Sequence, residues 1–158
     1  MKIYKNFLSD SDFKKIKSIF TSDSFPWYFS DCVNEENDDF FQFNFIFYKE
    51  EKLNCSQEFL NFIKPILSKL KYKKLTRVKA NLLVKTNKLI EHGYHTDQHS
   101  GETCIFYINN CNGYTKFKNN KIITSEENKL IQFDSKLEHT GSSCTDEKRR
   151  IVLNINYE

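Results

Sequence analysis

Between residues 92 and 99 the chain reads HGYHTDQH, which places three of its four histidines, His92, His95 and His99, beside the carboxylate of Asp97. In an extended segment, side chains two apart share a side, so His95 and Asp97 present an imidazole and a carboxylate together, with Thr96 turned outward. The remaining histidine, His139, closes the stretch FDSKLEH, 42 residues beyond Asp97. Two histidines and one carboxylate are the facial ligand set that holds Fe(II) while leaving positions open for a co-substrate and O2. Spacing alone leaves a second account open, in which turn histidines and a capping aspartate fall together by chance. A zinc site drawn from His92, His95 or His99 lacks any cysteine at the short spacing that zinc ligands favour. Gly93 and Ser100-Gly101 set His92 and His99 near turns, where solvated or supporting roles are expected.

Arg149 and Arg150 open the segment RRIVLNINY, and Arg150 stands 11 residues past His139. If Ile151, Leu153 and Ile155 face packed helices, then Arg150, Val152, Asn154 and Asn156 face inward. A polar inner row headed by arginine suits a cavity for a dicarboxylate, because guanidinium grips a carboxylate through two parallel hydrogen bonds. The opposite phase would turn Arg149 inward among apolar and aromatic neighbours. Asn81, in KANLL, either lines such a pocket or satisfies backbone groups. Tyr94 is a candidate for the cavity edge, whereas Trp27 and Tyr28, in FPWYF, are expected to pack.

These residues need a rigid frame. SDSDFKKIKSIF begins with capping residues and spaces Phe13, Ile16, Ile19 and Phe20 as a helix does. SQEFLNFIKPILSKLK repeats the pattern with Phe59, Phe62, Ile63, Ile66, Leu67 and Leu70, and Pro65 should bend that helix or split it in two. FFQFNFIFY alternates, with Phe41, Phe43, Phe45 and Phe47 on one face. Beyond residue 75, TRVKANLLV, GYHTD, TCIFYIN, YTKF, NKLIQF and RRIVLNINY read as short strands between polar turns. That rhythm points to an all-β sandwich or barrel with the earlier helices packed outside it.

The 158 residues are one domain's worth, and 15% aromatic content supports a real core. A net charge of +3 is too small to argue for nucleic acid by itself. The lysines of KPILSKLKYKKLTRVK interleave with apolar helix positions, so a solvated face explains them better than a nucleic-acid patch. Five cysteines with no CxxC pair argue against a disulfide framework. Buried thiols are expected, Cys144 being the one whose Gly/Ser-rich loop would allow exposure. The N-terminus lacks an apolar signal core and no run approaches membrane-spanning length, so a cytoplasmic protein without membrane partners is expected.

Together, HTD, the distal His139 and the arginine of HTGSSCTDEKRRIVLNINY resemble the core signature of the Fe(II)- and 2-oxoglutarate-dependent oxygenases. Within them, the closest resemblance is to the prolyl-4-hydroxylase-like branch, including compact versions carried by bacteria and phages. CIFYIN after the HxD, the turn NGYTKF and the strand LIQFDSKLEHTG follow in that branch's order, over roughly residues 77 to 157. The first half resembles the family only as helical and strand support.

The resemblance implies a mainly β, α+β fold with a double-stranded β-helix (jelly-roll, cupin-like) core and N-terminal helices outside. It implies one domain over 1–158, with 1–75 as support and 76–158 as the catalytic β core. Fe(II) would be held by His95, Asp97 and His139, with no catalytic side chain beyond these ligands. The distal carboxylate of the co-substrate 2-oxoglutarate would fall to Arg150, or to Arg149 instead, with Tyr107 helping through its hydroxyl. The implied activity is hydroxylation of a C–H bond at the expense of O2 and 2-oxoglutarate, with a prolyl residue of a peptide or protein as the favoured substrate. A small molecule, a nucleic-acid base undergoing demethylation, and a metal-binding β-barrel without turnover are the alternatives. Substrate recognition is expected from residues 23 to 40 and the loops around 86 to 101.

Overall fold

The computed structural model describes residues 1–34 and 39–158. Along the chain run β1 (Lys2–Tyr4), α1 (Asp10–Thr21), β2 (Tyr28–Ser30), β3 (Gln42–Lys49), β4 (Lys52–Leu53), α2 (Gln57–Asn61), α3 (Lys64–Leu67) and β5 (Leu75–Val84). β6 (Glu102–Tyr107), β7 (Tyr114–Phe117), β8 (Ile122–Thr124), β9 (Lys129–Asp134), β10 (His139–Gly141) and β11 (Arg149–Tyr157) follow.

Local chemistry accounts for the helices. Ser9 caps α1, its Oγ accepting from the Asp12 amide at 3.2 Å, and Phe13, Ile16 and Phe20 are the buried face. Ser56 caps α2 through the Phe59 amide at 3.1 Å. The second helical pattern is split in two, as Pro65 requires: lacking an N–H, it is accommodated only in the first turn of α3.

The strands form two sheets. The larger has the order β1-β9-β6-β11-β5-β3-β2, with β4 added to β3, and the smaller has the order β10-β7-β8. The named strands pair antiparallel throughout. The outer face of the large sheet carries Phe45, Phe47, Val78, Ala80, Leu82, Phe106, Ile151, Leu153 and Ile155, packed against Phe13, Ile16, Phe20, Ile63 and Ile66 of the helical segments. Its inner face joins Ile105, Tyr107, Ile131, Phe133 and Val152 to Phe117 and Ile123 of the small sheet. Period-two alternation therefore sends β11 both ways, with its isoleucines and leucine outward to the helices and Arg150 and Val152 inward. The result is the double-stranded β-helix that the resemblance implied, within the sandwich or barrel class that the strand rhythm pointed to. Among the described residues no helix is long and apolar enough to cross a membrane.

Several local expectations need correction. GYHTD is not a regular strand; the segment's ladder contacts with the small sheet's side of the fold are the isolated bridges Glu91↔Ser142 and His95↔His139. Gly93, Tyr94 and Thr96 are exposed, with Tyr94 at the cavity mouth. Cys144 is buried rather than exposed, its thiol donating to the Glu147 carbonyl at 3.3 Å. His92 is buried as well, with Phe40 edge-on to its ring. Phe41 lies ahead of β3 and is exposed, so the packed face of that segment begins at Phe43.

Candidate metal centre and co-substrate cavity

The bridge between His95 and His139 is a reciprocal pair of backbone hydrogen bonds, each 3.0 Å, which sets the two imidazoles side by side. Their ring centroids are 4.6 Å apart. The Asp97 amide is tied to the Ser135 carbonyl at 3.2 Å, which brings the carboxylate in as the third member. One ligand atom from each of His95, Asp97 and His139 lies within 4.8 Å of the other two. In both histidines Nδ1 faces a carbonyl, Leu137 at 3.0 Å for His139 and Gly93 at 3.3 Å for His95. A proton on Nδ1 donated to these carbonyls leaves the Nε2 lone pairs facing the site, which is the tautomer a metal needs. Phe117 and Phe133 wall in the His139 ring.

Asp97 is held by a ring of polar contacts. Arg77 Nη2 donates to Oδ1 at 2.7 Å and Thr103 Oγ1 donates to Oδ2 at 2.9 Å. Asn156 ties these two donors together, accepting from Arg77 Nε at 2.9 Å and donating to Thr103 Oγ1 at 2.8 Å. Burial is the strongest influence on the Asp97 carboxyl and opposes its charge. Arg77, the two histidines and Thr103 together outweigh it and hold the carboxyl below its ordinary range. Burial, with help from the positive charges of His95 and Arg77, lowers His139 against the pull of Asp97. An ionised carboxylate at Asp97 and an imidazole favoured in its neutral form at His139 suit the donor set that a divalent metal requires.

The triad opens into a cavity of about 810 Å³. Its walls take in the cavity faces of β5 and β11, the segment around the triad, and Ser30, Cys32, Val33, Asn34 and Gln42 on the far side. These fall in or beside the two regions expected to recognise substrate; residues 35–38 of the first lie outside the described residues. Tyr94 edges the cavity, while Trp27 packs against Phe20 and Phe25.

Arg150 is the inward arginine, 3% exposed. Its guanidinium donates to Ser125 Oγ at 2.7 Å, Thr115 Oγ1 at 3.2 Å and the Ser142 carbonyl at 3.4 Å, and lies 5.8 Å from the centroid of the Tyr107 ring. All these partners are neutral, and burial works against its charge. Room for the guanidinium depends on Gly113, where a Cβ would come within 2.6 Å of Arg150 Cδ and of the Ser143 carbonyl. Arg149 points the other way and donates to the Thr21 carbonyl at the end of α1, at 2.8 Å. Tyr107 is fully buried; its hydroxyl donates to Thr115 Oγ1 at 2.9 Å and burial pushes it up to about 12. Thr115 therefore stands between that hydroxyl and the cavity. Asn81 lines the cavity, as does Asn154, and His99 sits exposed on its rim.

Sequence reasoning passed over Arg77, Lys79, Thr103, Thr115 and Ser125. The alternation of TRVKANLLV places Arg77 and Lys79 in phase with Asn81, so a signal for those two was present.

No protein-family model matches the sequence, and no curated protein matches it. Solved structures do share its fold. A non-haem α-ketoglutarate-dependent epimerase, SnoN from nogalamycin biosynthesis, superposes with a TM-score of 0.69 at 7% identity, over 99% of this chain and 76% of its own. A Pseudomonas putida prolyl-4-hydroxylase gives 0.62 at 9% identity, over 99% of this chain and 92% of its own. A Trichoplax adhaerens prolyl hydroxylase, solved with a hypoxia-inducible-factor peptide fragment, gives 0.60 at 13% identity, covering 99% and 82%. The architecture is thus one that 2-oxoglutarate-dependent iron enzymes use, over essentially the whole chain.

Proposed function

We propose that this protein is a non-haem Fe(II)- and 2-oxoglutarate-dependent dioxygenase. The observation that carries the proposal is one cavity shared by a His95–Asp97–His139 triad and a buried guanidinium, Arg150, that has no carboxylate partner among the described residues. A buried, uncompensated cation is costly unless an anion arrives to meet it. The distal carboxylate of 2-oxoglutarate fits that need.

When bound, Fe(II) with 2-oxoglutarate and O2 supplies an oxidation in which one oxygen atom enters succinate, CO2 is released and the other enters a substrate C–H bond. The chain's own part is positional. His95 and His139 hold Nε2 toward the metal through their Nδ1 contacts, and Arg77 and Thr103 fix the Asp97 carboxylate. Arg150 anchors 2-oxoglutarate at the far end, with Tyr107 acting through Thr115 rather than by direct contact. Arg149, turned toward α1, is left out of this role.

The finer proposal is hydroxylation at a prolyl ring, with a peptide or protein as its source. The HxD-to-arginine strand order and the fold shared with two prolyl hydroxylases support it. The test is an anaerobic titration of metal-free protein with Fe(II) and then 2-oxoglutarate, followed by visible absorption. A charge-transfer band that requires both additions is expected; iron binding without it would remove 2-oxoglutarate from the proposal.

A further inference from the structure

We propose, building on the oxygenase reading, that the substrate presents its own carboxylate to Lys79 and an N–H donor to Asn81 and Asn154, as an amino or imino acid does. The assignment comes from what the cavity wall leaves unpaired.

Strand β5 alternates Arg77, Lys79, Asn81 and Leu83 onto the cavity face, and β11 answers with Asn156 opposite Arg77 and Asn154 opposite Lys79. Arg77 is engaged by Asp97 and Asn156, and Arg150 by its hydroxyls and carbonyl. The Lys79 ammonium, unlike its ladder-paired backbone, has no hydrogen bond and no ion pair among the described residues. Burial first, then the charge of Arg77, pulls the ammonium of this half-buried side chain down to about 8. Next to it, the Asn81 and Asn154 side chains line the cavity, and their Oδ1 atoms are buried with no hydrogen-bond partner, so a ligand N–H meets them once the amides turn toward the cavity. Buried polar atoms are rarely left so, because each has given up its hydrogen bonds to water without a replacement.

One unpaired cation and two unpaired acceptors on a single wall call for a ligand that carries an anion and an N–H donor close together. 2-Oxoglutarate does not meet that demand. It has no hydrogen to donate, and its distal carboxylate belongs to Arg150 on the reading above. The interior of a neutral peptide offers N–H groups but no anion. A free amino or imino acid offers both, and so does a peptide's C-terminal residue.

The test uses Fe(II)- and 2-oxoglutarate-loaded protein without O2 and follows the charge-transfer band. The probes are the common L-amino acids, their carboxamides, and Gly-X dipeptides with free or amidated C-termini. At least one free acid is expected to shift the band while its carboxamide does not. Lys79→Met should weaken that response by about 100-fold, with partial recovery in Lys79→Arg, as loss of a buried charge-assisted contact predicts. The 2-oxoglutarate midpoint of the parent band should remain within about threefold of wild type, since a shift that small is under 1 kcal/mol. A response from the free-ended dipeptides alone would assign the same contacts to a peptide terminus. The proposal is overturned if carboxamides act as well as acids, if Lys79→Met responds as wild type, or if no carboxylate in the panel shifts the band. It is also overturned if Lys79→Met removes the parent band itself, which would place Lys79 on 2-oxoglutarate. Failure of the wild-type band to form, read before any probe is added, strikes instead at the oxygenase reading.

Discussion

Replacing Arg150 by methionine should separate co-substrate binding from fold stability. The guanidinium is 3% exposed and rests on Ser125, Thr115 and Ser142, none of them charged. Removing it forfeits three hydrogen bonds from a charged donor, each worth about 1.5–3 kcal/mol. It also returns a desolvation penalty of several kcal/mol, so the ligand-free protein should change by no more than about 2 kcal/mol. For a chain of this size that is a Tm shift within about 8 °C. The 2-oxoglutarate complex is a different matter, because the arriving carboxylate would lose Arg150, its one buried cationic partner at that end of the cavity among the described residues. Truncating one member of such a pair costs about 2–5 kcal/mol, or about 30-fold to about 4,000-fold in affinity. The assay is the anaerobic charge-transfer titration with Fe(II) held constant, paired with thermal unfolding of the metal-free protein. Arg149→Met serves as the matched control, since that side chain reaches only the end of α1. An unchanged 2-oxoglutarate midpoint in Arg150→Met, or an equal loss in Arg149→Met, would refute the assignment.

Arg77→Met should lower Fe(II) affinity by about 10- to 100-fold, measured by competition with a chelator, because it removes the donor that orients Asp97 Oδ1. Gly113→Ala should weaken 2-oxoglutarate binding and lower stability by about 1–3 kcal/mol, seen as a fall in Tm, since the new Cβ meets Arg150 and the Ser143 carbonyl at 2.6 Å. Lys79 predicts a pH dependence for the ligand-free protein. Its ammonium is lowered from 10.5 to about 8 in the fold, so between those values the unfolded chain keeps a proton that the folded chain has released. Stability should therefore rise with pH across that window, by up to about 3 kcal/mol, and Tm measured against pH should lose this rise in Lys79→Met.

Much of the site follows from one periodicity. The alternation of RRIVLNINY separates Ile151, Leu153 and Ile155 from Arg150 and Val152, and the structure keeps that phase through to Asn156. The same rule applied to TRVKANLLV sets Arg77 and Lys79 beside Asn81, but it gives no reason to single them out. Their meaning comes from distant partners: Asp97 lies 20 residues from Arg77 and Asn156 lies 79 away. Local pattern also left open whether His92 and Cys144 would be covered, because the turn chemistry around them says nothing of the groups that later bury them. GYHTD failed as a strand for a related reason, since one reciprocal bridge to His139 is enough to place a ligand pair without a ladder.

That division explains why the triad, Arg150 and the inward asparagines Asn81 and Asn154 could be proposed from residue types and alternation, whereas the part proposed for Lys79 could not. Ligand chemistry is written in single side chains at short spacing. Recognition depends on which polar atoms remain unpaired after folding, and pairing is a property of the assembled sheet. Arg77 and Lys79 sit two apart on one strand with similar charge, yet one is consumed in positioning Asp97 and the other is left facing the cavity without a partner among the described residues. A close-range cation that the protein does not neutralise is where a substrate's own charge does the most to decide which molecule fits.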